Sequence, residues 1–160
     1  MTLTLPEPKA VLDLLGMFLG NRPPLAPGEG TDLKMPPFGT YVSWLKAKDG
    51  TIEGAILTDL AASLYIGGGL IMMPEAALMD MMKQGSVSDS VLDGLAEVFN
   101  NLRGQVNRID LNPHVSPTDP EAYDAPAEGT PEAWIYNPGK RIDLRGMTAY
   151  GPATLTIIGR

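Results

Sequence analysis

SDSVLDGLAEVFNNLRGQVN, residues 88–107, is the stretch from which the rest of the chain can be read. Apolar side chains fall at Leu92, Leu95, Val98, Phe99, Leu102 and Val106, the i, i+3, i+4, i+7 recurrence of a helix with one buried face. Ser88 supplies a start signal, and Ser90 with Asp93 three residues on offers a weaker one of the capping-box kind. Asp93, Glu97, Asn100, Gly104 and Asn107 fall on the opposite side. At about 100° per residue, Asp93, Glu97 and Asn100 lie within roughly 60° of one another. An acid and a carboxamide therefore stand one turn apart and point away from the core. Asn100 and Asn101 are poor mid-helix residues, and with Gly94 and Gly104 nearby they make the outward face weaker than an optimised helix would be. A solvated face also collects Asp, Glu and Asn with no function attached, so the stripe alone does not define a site.

Working outward toward the C-terminus, residues 110–132 read as a long Pro-rich loop with acids at Asp119, Glu121, Asp124 and Glu128. A loop of that length in a small domain is usually functional or mobile. Strands are expected at 133–137, 141–149 and 152–159. Toward the N-terminus, Pro74-Glu75 opens a helix that Gly85 closes. Before it, Thr58-Asp59 can cap a short helix running to Gly67-Gly68-Gly69. Residues 39–47 and 51–58 form a β-hairpin around Asp49-Gly50, a pair that tolerates the positive φ of a tight turn. Residues 22–37 are a Pro/Gly-rich loop, and residues 7–20 a first helix. Helices and antiparallel strands in this order make an α+β pattern, with helices packed on a sheet.

The chain has 160 residues, enough for one domain with a real core. At 44% hydrophobic and 19% charged it has a globular composition. A net charge of −7 argues against a nucleic-acid backbone or an anionic membrane as partner. The absence of Cys excludes disulfides, thiolate metal sites and a Cys nucleophile, and it fits a cytoplasmic address. The longest stretch free of charge, 60–74, is shorter than the ~20 residues a bilayer span needs and carries three glycines.

A faint internal repeat lies over this pattern. LDLLGMFLGN at 12–21 aligns with LDGLAEVFNN at 92–101, an offset of 80 residues, with Leu, Asp, Leu and Asn matching at 12/92, 13/93, 15/95 and 21/101. Together with the Asp93-x-x-x-Glu97-x-x-Asn100 spacing, it resembles the CheC, CheX and FliY phosphatases of bacterial chemotaxis. Their D/S-x-x-x-E-x-x-N motif sits on an exposed helix over an antiparallel sheet. The resemblance implies a CheC/CheX-like α+β domain over residues 1–160, built as a pseudo-two-fold repeat of about 7–85 and 86–160.

It further implies hydrolysis of the phospho-aspartate on a response-regulator receiver domain. Glu97 would engage a lysine of the regulator and Asn100 would orient the attacking water, with Asp93, Asn101 and Gly104 bordering the docked partner. Such a protein needs no cofactor of its own, since Mg²⁺ is expected on the partner receiver domain. The corresponding positions of the first half are Asp13, Met17 and Gly20, which supply no acid or amide in register, so one active motif is expected, as in the CheX-like branch. That branch also tends to form a homodimer. A non-catalytic adaptor of the same fold is the alternative, and an unrelated α+β binding protein a third reading.

Other features carry blander expectations. Gly67-Gly68-Gly69 lacks the Gly-Lys-Ser/Thr of a phosphate loop and reads as a turn or a close-packing site. His114, the only His, has no nucleophile elbow beside it. The acids of 119–128 do not match calcium-loop spacing. Met72, Met73, Met79, Met81 and Met82 are expected in the core, and Lys140, Arg141 and Arg145 on exposed strand positions.

Overall fold

A computed structural model describes residues 3–160. Helix α1 (Pro8–Leu19) starts with proline in its first turn and stops at Gly20. The hairpin forms as expected from β2 (Tyr41–Ala47) and β3 (Ile52–Thr58). Gly50 takes φ 87° at its turn, and the Asp49 carboxylate accepts the Thr51 N–H at 2.9 Å. Asp59 caps α2 (Leu60–Ser63) by accepting the Ala62 N–H at 2.9 Å, and the helix widens into a π-helical turn, Leu64–Gly68. Helix α3 (Glu75–Gln84) closes at Gly85. Of the two start signals for α4 (Asp89–Asn107), Ser88 is the one used: its Oγ accepts the Val91 N–H.

The strands build one antiparallel sheet. With β1 (Ala26–Pro27), β4 (Val115–Pro117), β5 (Glu121–Ala122), β6 (Lys140–Thr148) and β7 (Gly151–Gly159), its order is β1-β6-β7-β3-β2-β4, and β5 also pairs with β2. The central pair is β3 with β7, in register at Ile56 and Ile157. On either side of it lies a hairpin partner and then a short strand. Both of those short strands carry a proline, Pro27 and Pro117, which removes a donor and discourages another chain from extending the sheet.

Strand alternation divides the apolar residues between two layers. Leu45, Ile56, Ile142, Leu144, Leu155 and Ile157 face the helices, meeting Val11 and Leu15 of α1 and Leu95, Val98, Phe99 and Leu102 of α4. Each such side chain contributes roughly 1.5–3 kcal/mol by leaving water. Val42, Ala55, Leu57 and Ile158 face the other way, beneath Leu33, Tyr123 and Ile135, with Trp44, Trp134 and Tyr136 packed at the margin. Because β3 is covered on both faces, Ala55-Ile56-Leu57 is an unbroken apolar run instead of an alternating one.

Several expectations are corrected. Residues 133–137 are not a strand: Pro131–Tyr136 form a 3₁₀-helix whose one fully buried side chain is Ile135. A short apolar run does not itself distinguish strand from helix, and Pro131 sets the first turn. The 110–132 segment is fastened to the sheet through β4 and β5. Tyr123 Oη donates to Leu33 O at 2.8 Å and Tyr136 Oη to Pro126 O at 2.6 Å, and Thr118 Oγ1 accepts the Trp44 N–H at 2.8 Å. Arg141 is half-buried and ion-paired to Asp143 at 2.6 Å. Met73, Met79, Met81 and Met82 pack against the core as expected, but Met72 is exposed at positive φ. Among the described residues no helix is long and apolar enough to cross a membrane.

Candidate functional site

Helix α4 is held at both ends and along one flank, which leaves one polar stripe facing outward. At its N-terminal half, Gly94 lies against the π-helical turn: a Cβ there would stand 2.5 Å from Gly67 O, and one on Gly67 2.5 Å from Val91 O. The glycine run is thus a close-packing site. Gly94 belongs to the buried face of the helix. Farther along, Gln105 Nε2 donates to Ala10 O of α1 at 3.0 Å. Asn107, expected to point outward, is half-buried and fastens β4. Its Nδ2 donates to Val115 O and its Oδ1 accepts the Val115 N–H, both at 2.9 Å.

Asp93, Glu97 and Asn100 are exposed along the outward stripe, as their spacing requires. Asn101 is half-buried and its Nδ2 donates to Glu97 O at 2.9 Å. That back-bond to the preceding turn is a habit of helical polar side chains, and it leaves Asn100 as the outward amide. Asn100 Oδ1 accepts from Arg103 Nη2 at 2.5 Å. Arg103 is the residue that the sequence reading passed over, although its i, i+3 spacing from Asn100 was a usable signal. A Cβ on Gly104 would meet nothing within 4 Å, so packing inside the chain does not require glycine there.

Asp93 also lines a shallow groove with Asp89, Leu92, Ala96, Asp119 and Pro120. Leu92, expected in the core, is half-buried at this groove. The groove brings acids of α4 and of the Pro-rich segment to one side of the stripe. On α1, Asp13 and Met17 are exposed, but Asp13 is tied to Lys9 at 2.9 Å and Arg22 at 3.8 Å. The hydrogen bond from Lys9 and the two charges hold the Asp13 carboxyl below its ordinary pKa. His114 is exposed on the loop before β4. Among the described residues no group of three or more His, Cys, Asp or Glu side chains converges as a metal site.

The stripe offers two chemical capacities. Glu97 can accept from a cation on an approaching surface, and the Asn100 carboxamide can hold a water through both a donor and an acceptor without being a strong base.

No family model and no curated protein matches the sequence. Solved structures do match in fold. A CheC-like superfamily protein from Shewanella sp. PV-4 superposes with TM-score 0.57 at 15% identity, covering 95% of this chain and 93% of that one. A chain of the CheX–CheY–BeF3–Mg complex from Borrelia burgdorferi gives 0.55 at 18% identity over 94% and 92%. A chain of the FliM–SpeE complex from H. pylori gives 0.53 at 11% identity over 94% and 80%. At such identities the likeness is one of fold: this chain has the CheC/CheX fold, an antiparallel sheet carrying helices.

Proposed function

We propose that this chain is a phosphatase that hydrolyses the phospho-aspartate of a response-regulator receiver domain, with α4 as its working face. The observation that carries the reading is the exposed polar stripe on a helix whose opposite face is buried against the rest of the fold. Asp93, Glu97 and Asn100 are exposed, and Gly104 beyond them is a glycine that the chain's own packing does not need. The fold shared with a protein in a CheX–CheY complex supports a receiver domain as the partner.

On this reading Glu97 engages a cation of the receiver domain and fixes the two proteins in register, with Asp93, Asn101 and Gly104 at the border of the contact. Asn100 holds a water in line with phosphorus. The water oxygen bonds to phosphorus, the bond from phosphorus to the aspartyl oxygen breaks with its electron pair left on the carboxylate, and the water protons leave with inorganic phosphate. Phosphoryl transfer depends mainly on positioning and electrostatic stabilisation, so an amide suffices. Mg²⁺ belongs to the receiver domain, where it neutralises charge on the phosphoryl group.

The test separates the two residues. Asn100→Ala is expected to lower turnover about 10²-fold, the scale of a lost positioning group, while capture of the receiver domain persists. Glu97→Ala is expected to weaken capture. The FliM–SpeE chain, which has the same fold in a different assembly, favours a second reading, a non-catalytic adaptor. Capture without any acceleration of dephosphorylation would establish that second reading and overturn the first.

A further inference from the structure

Arg103 makes a pairing that the stability of the fold does not explain. Its Nη2 donates to Asn100 Oδ1 at 2.5 Å, while its Nε lies buried without a partner. A buried unpartnered N–H disfavours folding, and an alkyl side chain at the same half-buried position would avoid that cost. Going around α4, Asn100 lies between Glu97 and Arg103, about 60° from each. The amide thus has an acid on one side and a cation on the other.

The chemistry of the pair is one-directional. A guanidinium carries donors only, so it pairs with the oxygen end of the amide and never with its NH₂ end. Of the two amide orientations that exchange Oδ1 and Nδ2, it selects one. The NH₂ group and the second lone pair of Oδ1 then remain for a water.

We propose that Arg103 is a positioning residue that locks the Asn100 carboxamide in the one orientation its role toward water requires. The inference rests on the phosphatase reading of α4 and adds to it the group that fixes the amide. Without Arg103, Asn100 keeps its place on the helix and loses its orientation.

The experiment compares wild type with Arg103→Ala and Arg103→Lys on a phosphorylated receiver domain that the wild type dephosphorylates, with melting curves to establish that each variant is folded. Arg103→Ala is expected to lower kcat about tenfold with KM within about twofold, a split that marks lost orientation and not lost docking. Arg103→Lys, which still donates to Oδ1, should recover part of the loss, and it serves as the test if the alanine variant does not fold. In the free protein, the side-chain ¹⁵N relaxation of Asn100 should show a restrained amide in wild type and a mobile one in Arg103→Ala. Unchanged kcat, or a loss confined to KM, would overturn the proposal. If the wild type dephosphorylates no receiver domain, the phosphatase reading falls and takes the role in turnover with it. The relaxation data still tell whether the lock exists, so the two failures are distinguishable.

Discussion

Gly94 and Gly104 lie on the same helix and answer to opposite constraints. A Cβ on Gly94 would approach Gly67 O to 2.5 Å, backbone that cannot yield without moving α4 off the π-helical turn. Gly94→Ala should therefore destabilise the fold by about 1–3 kcal/mol through overpacking. A Cβ on Gly104 meets nothing, so Gly104→Ala should stabilise the helix by about 0.5–1 kcal/mol while raising KM for the receiver domain. Urea unfolding of the two variants gives both signs, and like signs would show that the packing of α4 is wrongly described. Asp59 offers a second test at this scale. Burial pushes its carboxyl above the ordinary pKa, against the Ala62 N–H that lowers it. A raised folded value means that this group favours the fold most when protonated, and the contribution is lost as pH rises through the folded pKa. Asp59→Asn keeps the cap and abolishes the titration. Its melting temperature relative to wild type should rise between about pH 3 and pH 7, and a pH-independent difference would remove burial of Asp59 as a determinant of stability.

Among the elements, α4 was the most legible in the sequence, because its 3.6-residue period persists over 19 residues behind a serine cap. Ser88→Ala should cost about 1 kcal/mol in thermal or urea unfolding, with Ser90→Ala near neutral. The β2–β3 hairpin was legible through Asp49-Gly50, and β6 and β7 were legible as strands, though not their pairing. The exposure of Asp93, Glu97 and Asn100 followed from angle arithmetic alone. Where the reading failed, the deciding contact came from outside the segment. Gly94 was read only as a helix-weakening neighbour of the outward face, because nothing local reveals that Gly67 presses against it. Asn107 points to β4 and not to solvent because Val115, brought back by the turn after α4, offers both a donor and an acceptor. Trp134-Ile135-Tyr136 was read as strand because an apolar run of three is silent about its period. Arg103 was missed for a different reason: spacing showed it within reach of Asn100, but only side-chain geometry shows which way it turns.

At the scale of the whole molecule, the α+β class was readable from element order, whereas the second apolar layer on the far side of the sheet was not. That layer joins the 22–37 loop to the 110–137 segment through Tyr123, whose phenol burial pushes far above its ordinary pKa. Tyr123→Phe removes the bond to Leu33 O and should cost about 1 kcal/mol, with turnover unchanged because α4 lies on the opposite face of the sheet. One face of the sheet anchors the loops, and the other carries the helix whose outward stripe is proposed to meet a partner. The most direct test of that claim is the decay of label from phosphorylated receiver domains mixed with a substoichiometric amount of this protein. Multiple turnovers, with the acceleration reduced about 10²-fold in Asn100→Ala, are the expected result. Decay at the uncatalysed rate across a panel of receivers, or acceleration that Asn100→Ala leaves intact, would contradict it.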